Sequence, residues 1–348
     1  MATTIVNTYT SFPATGSVGG WVEVGRTTLA CAGDTITVSC LADKRYYMVL
    51  TDIIPCGNVR EIMRVNSAAG TSYSHRDSAN GAADAIKTSR CSLEFGKNSE
   101  ATTAFSVGYW SNLSSHEKTW INHEVRSNTA GASNAPTRSE HVGKWTNTCN
   151  AINRFDVIND QGGDFAAGSE VVILAWDPTD IHTCDFWEEL ASVDLSGGTA
   201  TSLSTGTFTT KKYLWVQMYI EPDGATNQLL RYGNGSEDTG SNYSYRQSDN
   251  GTADTTDTSI GHMNITEAAT SLPWFWNGFI INNASNEKLT IGHMIQQSTA
   301  GAGTAPNREE YTGKWANTSN QLNLIKITGS GGDSVLGTNT IIKVWGSD

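Results

Sequence analysis

Apolar and polar positions along this chain of 348 residues alternate over short stretches and do not recur at the three-to-four spacing of an amphipathic helix. In the run TITVSCL, residues 35–41, Ile36, Val38 and Cys40 fall on one side of an extended backbone and Thr35, Thr37 and Ser39 on the other. The runs YYMVLTDII (46–54), EVVILAW (170–176) and NTIIKVW (339–345) are rich in β-branched and aromatic residues and bounded by Gly, Asp, Asn or Pro. Each is long enough for a strand and too short for a convincing helix. Only residues 179–195 hint at a helical turn, and there Trp187 has a competing reading as the repeat of Trp21 in GWVEV.

The pattern is written twice. TAGASNAPTRSEHVGKWTNTCN, from Thr129, returns as TAGAGTAPNREEYTGKWANTSN, from Thr299. KRYYMV at 44–49 answers to KKYLWV at 211–216, SYSHRDSANGAAD ending at Asp84 to NYSYRQSDNGTAD ending at Asp254, and the segment ending at His123 to the one ending at His293. The offset stays near ~170 residues, far above the 20–50 of a solenoid repeat, so each copy should bury its own core. The expected fold is all-β: two tandem antiparallel β-sandwich domains, jelly-roll-like, arising from internal duplication. The expected boundaries are an N-terminal arm at 1–20, a first sandwich at 21–180 and a second at 181–348, with no long flexible linker. The arm has no counterpart in the second copy and is expected to be ordered by a neighbouring chain.

Composition narrows the function classes. A formal charge of −12 and a pI near 5.0 disfavour a phosphate backbone as partner. No basic n-region with an apolar stretch opens the chain and no run approaches a membrane span, so folding in a cytoplasm and no membrane partner are expected. Cys31, Cys40, Cys56, Cys91, Cys149 and Cys184 have no counterparts in the second copy and no CxxC spacing, which predicts buried free thiols and no structural zinc.

Candidate chemistry is sparse. Each copy carries the same set: His123/His293, Glu117/Glu287, Lys118/Lys288, Arg138/Arg308, Glu140/Glu310, Lys144/Lys314 and Asp84/Asp254. A carboxylate–histidine site in each copy is one reading; a set of fold anchors fits better, because these residues flank the repeated Gly-Lys-Trp motifs. Arg138 and Glu140 share one side of an extended segment and can pair. Arg308 and Glu310 repeat that spacing. Trp145 and Trp315 each supply a large buried area, and Asn147 and Asn317 can hold a neighbouring turn. NGAAD (80–84) and NGTAD (250–254) offer oxygens for calcium but lack a dense acidic ladder, so Asx-held turns are the reading adopted. Glu188 and Glu189, adjacent on a strand, point to opposite faces and make a poor glycosidase pair. No G-x-S-x-G, P-loop or H-E-x-x-H occurs, so no catalytic residue, cofactor or metal is assigned. Trp274, Phe275 and Trp276 form the densest aromatic cluster; alternation exposes either Phe275 or its two neighbours, and core or subunit-interface packing is favoured over a glycan platform.

TAGAGTAPNREEYTGKWANTSNQ, NNASNEKLTIGH and the terminal IIKVWGSD, with their earlier near-copies, resemble two-domain virion structural proteins of tailed phages of marine and other aquatic bacteria. The resemblance covers nearly the whole chain beyond the arm and implies a structural role with no catalytic residues to carry over. The first-copy cysteines depart from that pattern. The expectation is therefore a non-enzymatic virion component, a capsid decoration or cement protein on the particle exterior. It would form homo-oligomers, with a trimer favoured, and contact the major capsid protein. The alternatives are a tail or head-fibre adhesin or carbohydrate-binding sandwich that reads a host surface glycan, and a double jelly-roll capsid protein.

Overall fold

The computed structural model describes residues 20–96, 100–178, 180, 185–224, 227–266, 272–297, 302–330 and 335–348. Residues 1–19 of the N-terminal arm and Cys184 lie outside them. Among the described residues every regular element is a strand, and the strands form two copies of one topology.

In the first copy an eight-stranded antiparallel sheet runs in the order Val22–Thr28, Glu170–Trp176, Tyr46–Ile53, Ala104–Ser111, Lys118–Arg126, Thr137–Trp145, Tyr73–Ala79, Ala85–Arg90. The second copy repeats it as Glu188–Asp194, Ile341–Ser347, Tyr213–Ile220, Trp274–Ile281, Lys288–Gln296, Asn307–Trp315, Tyr243–Asp249, Thr255–Ile260. A smaller sheet covers one face of each: Thr35–Ser39, Arg154–Asn159, Glu61–Val65 and Leu93–Glu94 in the first; Ser202–Ser204, Leu324–Gly329 and Gln228–Asn234, with Met263–Asn264 alongside, in the second. The chain passes back and forth between its two sheets, as in a jelly roll. The segment expected to turn helically is instead the edge strand Glu188–Asp194, and Trp187 stands where Trp21 stands in the first copy.

Each sandwich has its own core. Tyr47, Trp110, Trp120, Trp145 and Phe155 centre the first, and Tyr232, Tyr243, Trp274, Trp276 and Trp315 the second. Ile36 and Val38 face inward as their alternation requires, but the strand ends at Ser39 and Cys40 turns out into solvent at φ 61°. The other described cysteines, Cys31, Cys56, Cys91 and Cys149, are likewise free and exposed, not buried. They sit in bends or in a two-residue strand, where no layer covers them.

A third apolar core joins the domains. On Tyr46–Ile53, Tyr47 and Val49 point to the smaller sheet, whereas Met48 and Leu50 point the other way, to Phe105, Val107, Val125, Val172 and Leu174. Against these pack Phe186, Trp187, Tyr213, Phe279, Ile281, Leu289, Ile291 and Trp345 of the second copy. The outer faces of the two large sheets are thus stacked on each other. A strand buried on both faces loses its alternation, which is why 46–50 reads as a continuous apolar run.

The stack is head to tail. Phe105 and Val125 are 1% and 0% exposed, but their equivalents Phe275 and Ile295 are 43% and 48% exposed. In the opposite sense, Ile291 and Thr312 are 4% and 1% exposed, while their equivalents Ile121 and Val142 are 50% and 48% exposed. Different halves of equivalent faces therefore meet. The repeated loop behaves the same way: Ala132, Ala135 and Pro136 are buried against the second domain, and Ala302, Ala305 and Pro306 are exposed. Lys314 donates to the carbonyls of Ser127 and Thr129, Ser244 to that of Asn134, and Arg246 to that of Pro136.

A polar tie closes one end of the stack. Glu170 accepts from Thr28, from Lys212 at 2.9 Å and from the Tyr213 hydroxyl at 2.7 Å, and Asp52 accepts from Asn283 and pairs with Lys212 at 3.0 Å. Burial opposes the charge of both carboxylates. It prevails at Asp52, whose pKa is raised; at Glu170 the hydrogen bonds and the Lys212 ammonium prevail, and its pKa is lowered. A lowered folded pKa gives stability that is complete above the unfolded value, about 4.3, and is lost as the pH falls through the folded one. Glu170→Gln should therefore cost ~1.5–3 kcal/mol at pH 7. The gap from the parent protein should narrow below about pH 4. Urea melts at both pH values check this; an equal gap at both would refute it.

Candidate metal centre at the interdomain seam

Along one line of the seam the domains meet at equivalent residues. His123 faces Glu140 across neighbouring strands, and His293 faces Glu310 in the same register of the second sheet. Directly opposed residues on one sheet face stand about 5 Å apart, so each histidine comes with a carboxylate. Stacking the sheets brings the two rings to 4.3 Å between centroids, inclined at 69°. Nitrogens of both rings and an oxygen of Glu140 lie within 4.8 Å of one another. Between them is a small cavity of about 10 Å³, bordered also by Arg138, Ile291 and Tyr311. His123 Nδ1 is sealed from solvent and has no hydrogen-bond partner.

Burial disfavours protonation of both rings. Burial and the neighbouring His293 ring push His123 well below the usual histidine pKa, and burial lowers His293 despite the Glu310 carboxylate. Burial raises Glu140, an effect that Arg138 partly offsets. Arg138 pairs with Glu140, as its spacing predicts, and also crosses the seam to Asp254 at 2.7 Å and Glu310 at 2.9 Å. Arg308 repeats only the pairing with Glu310 and is exposed.

Two hairpin tips flank the seam. Asn80-Gly81 and Asn250-Gly251 all have positive φ, from 50° to 76°, and Ala82 and Thr252 donate back across each tip, as in a type I′ turn. The Asn80 and Asn250 side chains accept from the backbone of Arg138 and Arg308, so these asparagines hold turns. The tips border a cleft of about 400 Å³ lined by equivalent pairs, including Arg138/Arg308 and Glu140/Glu310. A second cleft of about 200 Å³ brings His123 and Glu140 to the surface beside Ile121, Val142 and Asp84.

The remaining repeated residues are structural anchors. Trp145 and Trp315 are buried, and Trp315 donates to Asp238 at 2.8 Å. Asn147 and Asn317 each accept two backbone N–H bonds from the following turn. Buried Lys118 and Lys288 tie their loops through carbonyl oxygens beneath those tryptophans. Lys144 forms an exposed pair with Glu117, whereas Lys314 is buried in the interdomain seam near Glu287. Glu188 and Glu189 pair with Lys211 and Lys343 at the sheet edge.

Trp274 and Trp276 cannot form a glycan platform. Both indoles point into the second core, and Gly278 and Gly292 make the slot for Trp276, whose ring a Cβ at either position would meet at under 3 Å. Phe275, between them, faces out beside Tyr219. One polar group escaped the sequence reading: Asn122, Glu124 and Arg126 line the inside of the first sandwich, with Glu61 on Arg126. Counting alternate residues onward from Trp120 would have placed them there.

No family model matches the chain, and no curated protein matches it. Among solved structures, mouse laminin α1 domains LG4–5 are similar at 9% identity over 98% of this chain and 93% of that one, with a TM-score of 0.20. Neisserial surface protein A is similar at 6% identity over 81% and 96%, with a TM-score of 0.14. Infectious bursal disease virus, Gx strain, is similar at 10% identity over 96% and 81%, with a TM-score of 0.10. Likeness at these scores carries no argument about this chain.

Trp276→Ala should cost ~3–5 kcal/mol of stability. Phe275→Ala should change it by less than ~0.5 kcal/mol. Chemical denaturation of the two variants measures the difference; equal losses would contradict the assigned strand faces.

Proposed function

We propose that this protein is a non-enzymatic structural component of a virion, a decoration or cement protein that assembles with copies of itself on a tailed-phage capsid. The observation that supports it best is the head-to-tail stack inside one chain. A heterologous contact uses two different surfaces, so a pair of equivalent domains joined that way leaves one of each surface unused. Here the unused surfaces are apolar. One is Ile121 and Val142 on the first sheet, with Ile86 beyond the intervening Arg76, next to the partly covered rings of Trp21 and Tyr109; the other is Tyr219, Phe275 and Ile295 on the second. Such rows on a soluble surface mark interaction sites. The resemblance to two-domain virion proteins supplies the setting: assembly in the host cytoplasm, residence in the virion and a closed trimer next to the major capsid protein.

The glycan-binding reading draws on the exposed pair Tyr219 and Phe275, two rings on which a sugar could stack. It leaves the matching apolar row on the other sheet without a use, and self-assembly explains both. Mass photometry and sedimentation at micromolar concentration test this. The parent protein should form a closed oligomer, and Ile121→Asp or Phe275→Asp should each give monomers of unchanged melting temperature. A monomeric parent protein that binds glycans and loses them on Phe275→Ala would overturn self-assembly in favour of the adhesin.

A further inference from the structure

We propose that His123, His293 and Glu140 form a binding site for one divalent transition-metal ion of the zinc class that clasps the two repeats together. Two imidazole nitrogens and a carboxylate oxygen are the donor set such ions take. The three donors come from three strands in two domains, so the site exists only when the sheets are stacked. A tetrahedral ion with bonds of about 2.1 Å holds its ligand atoms ~3.4 Å apart. The present donors lie within 4.8 Å and reach that spacing by small rotations of the side chains. The cavity between them, about 10 Å³, is of the size that holds a single water or ion.

A second observation points to an occupant. His123 borders this cavity, its Nδ1 is buried and has no partner, and an unpaired buried ring nitrogen costs about 1–3 kcal/mol. A metal bond would satisfy it. The carboxylate is oriented in advance, because one oxygen of Glu140 accepts from Arg138. That guanidinium opposes a cation, but its charge is matched by Glu140, Asp254 and Glu310 together. Glu310, opposite His293 as Glu140 is opposite His123, stands next in line as a fourth ligand.

The proposal does not depend on the virion reading, since the clasp lies within one chain. Its test is titration of EDTA-dialysed full-length protein with Zn²⁺ by calorimetry, repeated with Co²⁺ by visible absorption. The expected result is one ion per chain, a Co²⁺ spectrum without thiolate charge transfer, and a rise in melting temperature on loading. His123→Gln with His293→Gln should abolish that binding, and Glu140→Gln should weaken it at least tenfold, with the free cysteines still in place. Binding that survives both variants, a thiolate spectrum pointing to the exposed cysteines, or no binding by the parent protein would overturn it. If the double variant fails to fold, the Co²⁺ spectrum and stoichiometry of the parent protein decide alone.

Discussion

The packing of one large sheet against the other is the constraint on which the rest of this molecule depends. Each sandwich has its own buried core, yet among the described residues fifteen further buried side chains form a layer between the two domains. Burying a large apolar side chain contributes ~1.5–3 kcal/mol, so this layer stabilises the molecule more than the polar ties at its margins do. Those ties fix its register. Lys212 and Tyr213 reach Glu170 and Asp52 at one end, while Lys314 and Arg246 grip the 127–136 loop along a side.

The geometry of that stack explains why equivalent residues have different fates. Residues close to a rotation axis meet their own equivalents whatever the angle; only a two-fold makes distant residues do so as well. His123 meets His293 here, whereas Phe105 is covered and Phe275 is bare. The relation is therefore not a pure two-fold rotation, and it creates two distinct products. One is a seam where repeated histidines and carboxylates converge into a compact donor set. The other is a pair of unsatisfied faces at opposite ends of the stack.

Much of the fold was legible in the residues themselves. The duplication predicted two domains of one topology, and the strand orders agree position for position. Asn147, Asn317 and the Arg138–Glu140 pair act as their spacing indicated. The candidate site was harder to see. Period-two alternation tells that a strand has two faces but not what covers the outer one, so His123 and His293 read as separate anchors in separate domains. The same limit left Trp274 and Trp276 undecided between core and surface, because either assignment of faces fits the string WFW. The described cysteines departed from expectation for a different reason: residue-type averages place thiols inside, whereas these occupy bends or a two-residue strand with no layer above them.

Mixing two blocked variants tests the head-to-tail arrangement most directly. Ile121→Asp spoils one surface and leaves Tyr219, Phe275 and Ile295 intact; Phe275→Asp does the reverse. Analytical ultracentrifugation of the equimolar mixture should show a heterodimer that grows no further, although each variant alone remains monomeric. A mixture that stays monomeric, or a variant that dimerises by itself, would mean that the two exposed faces are not partners and would contradict the account.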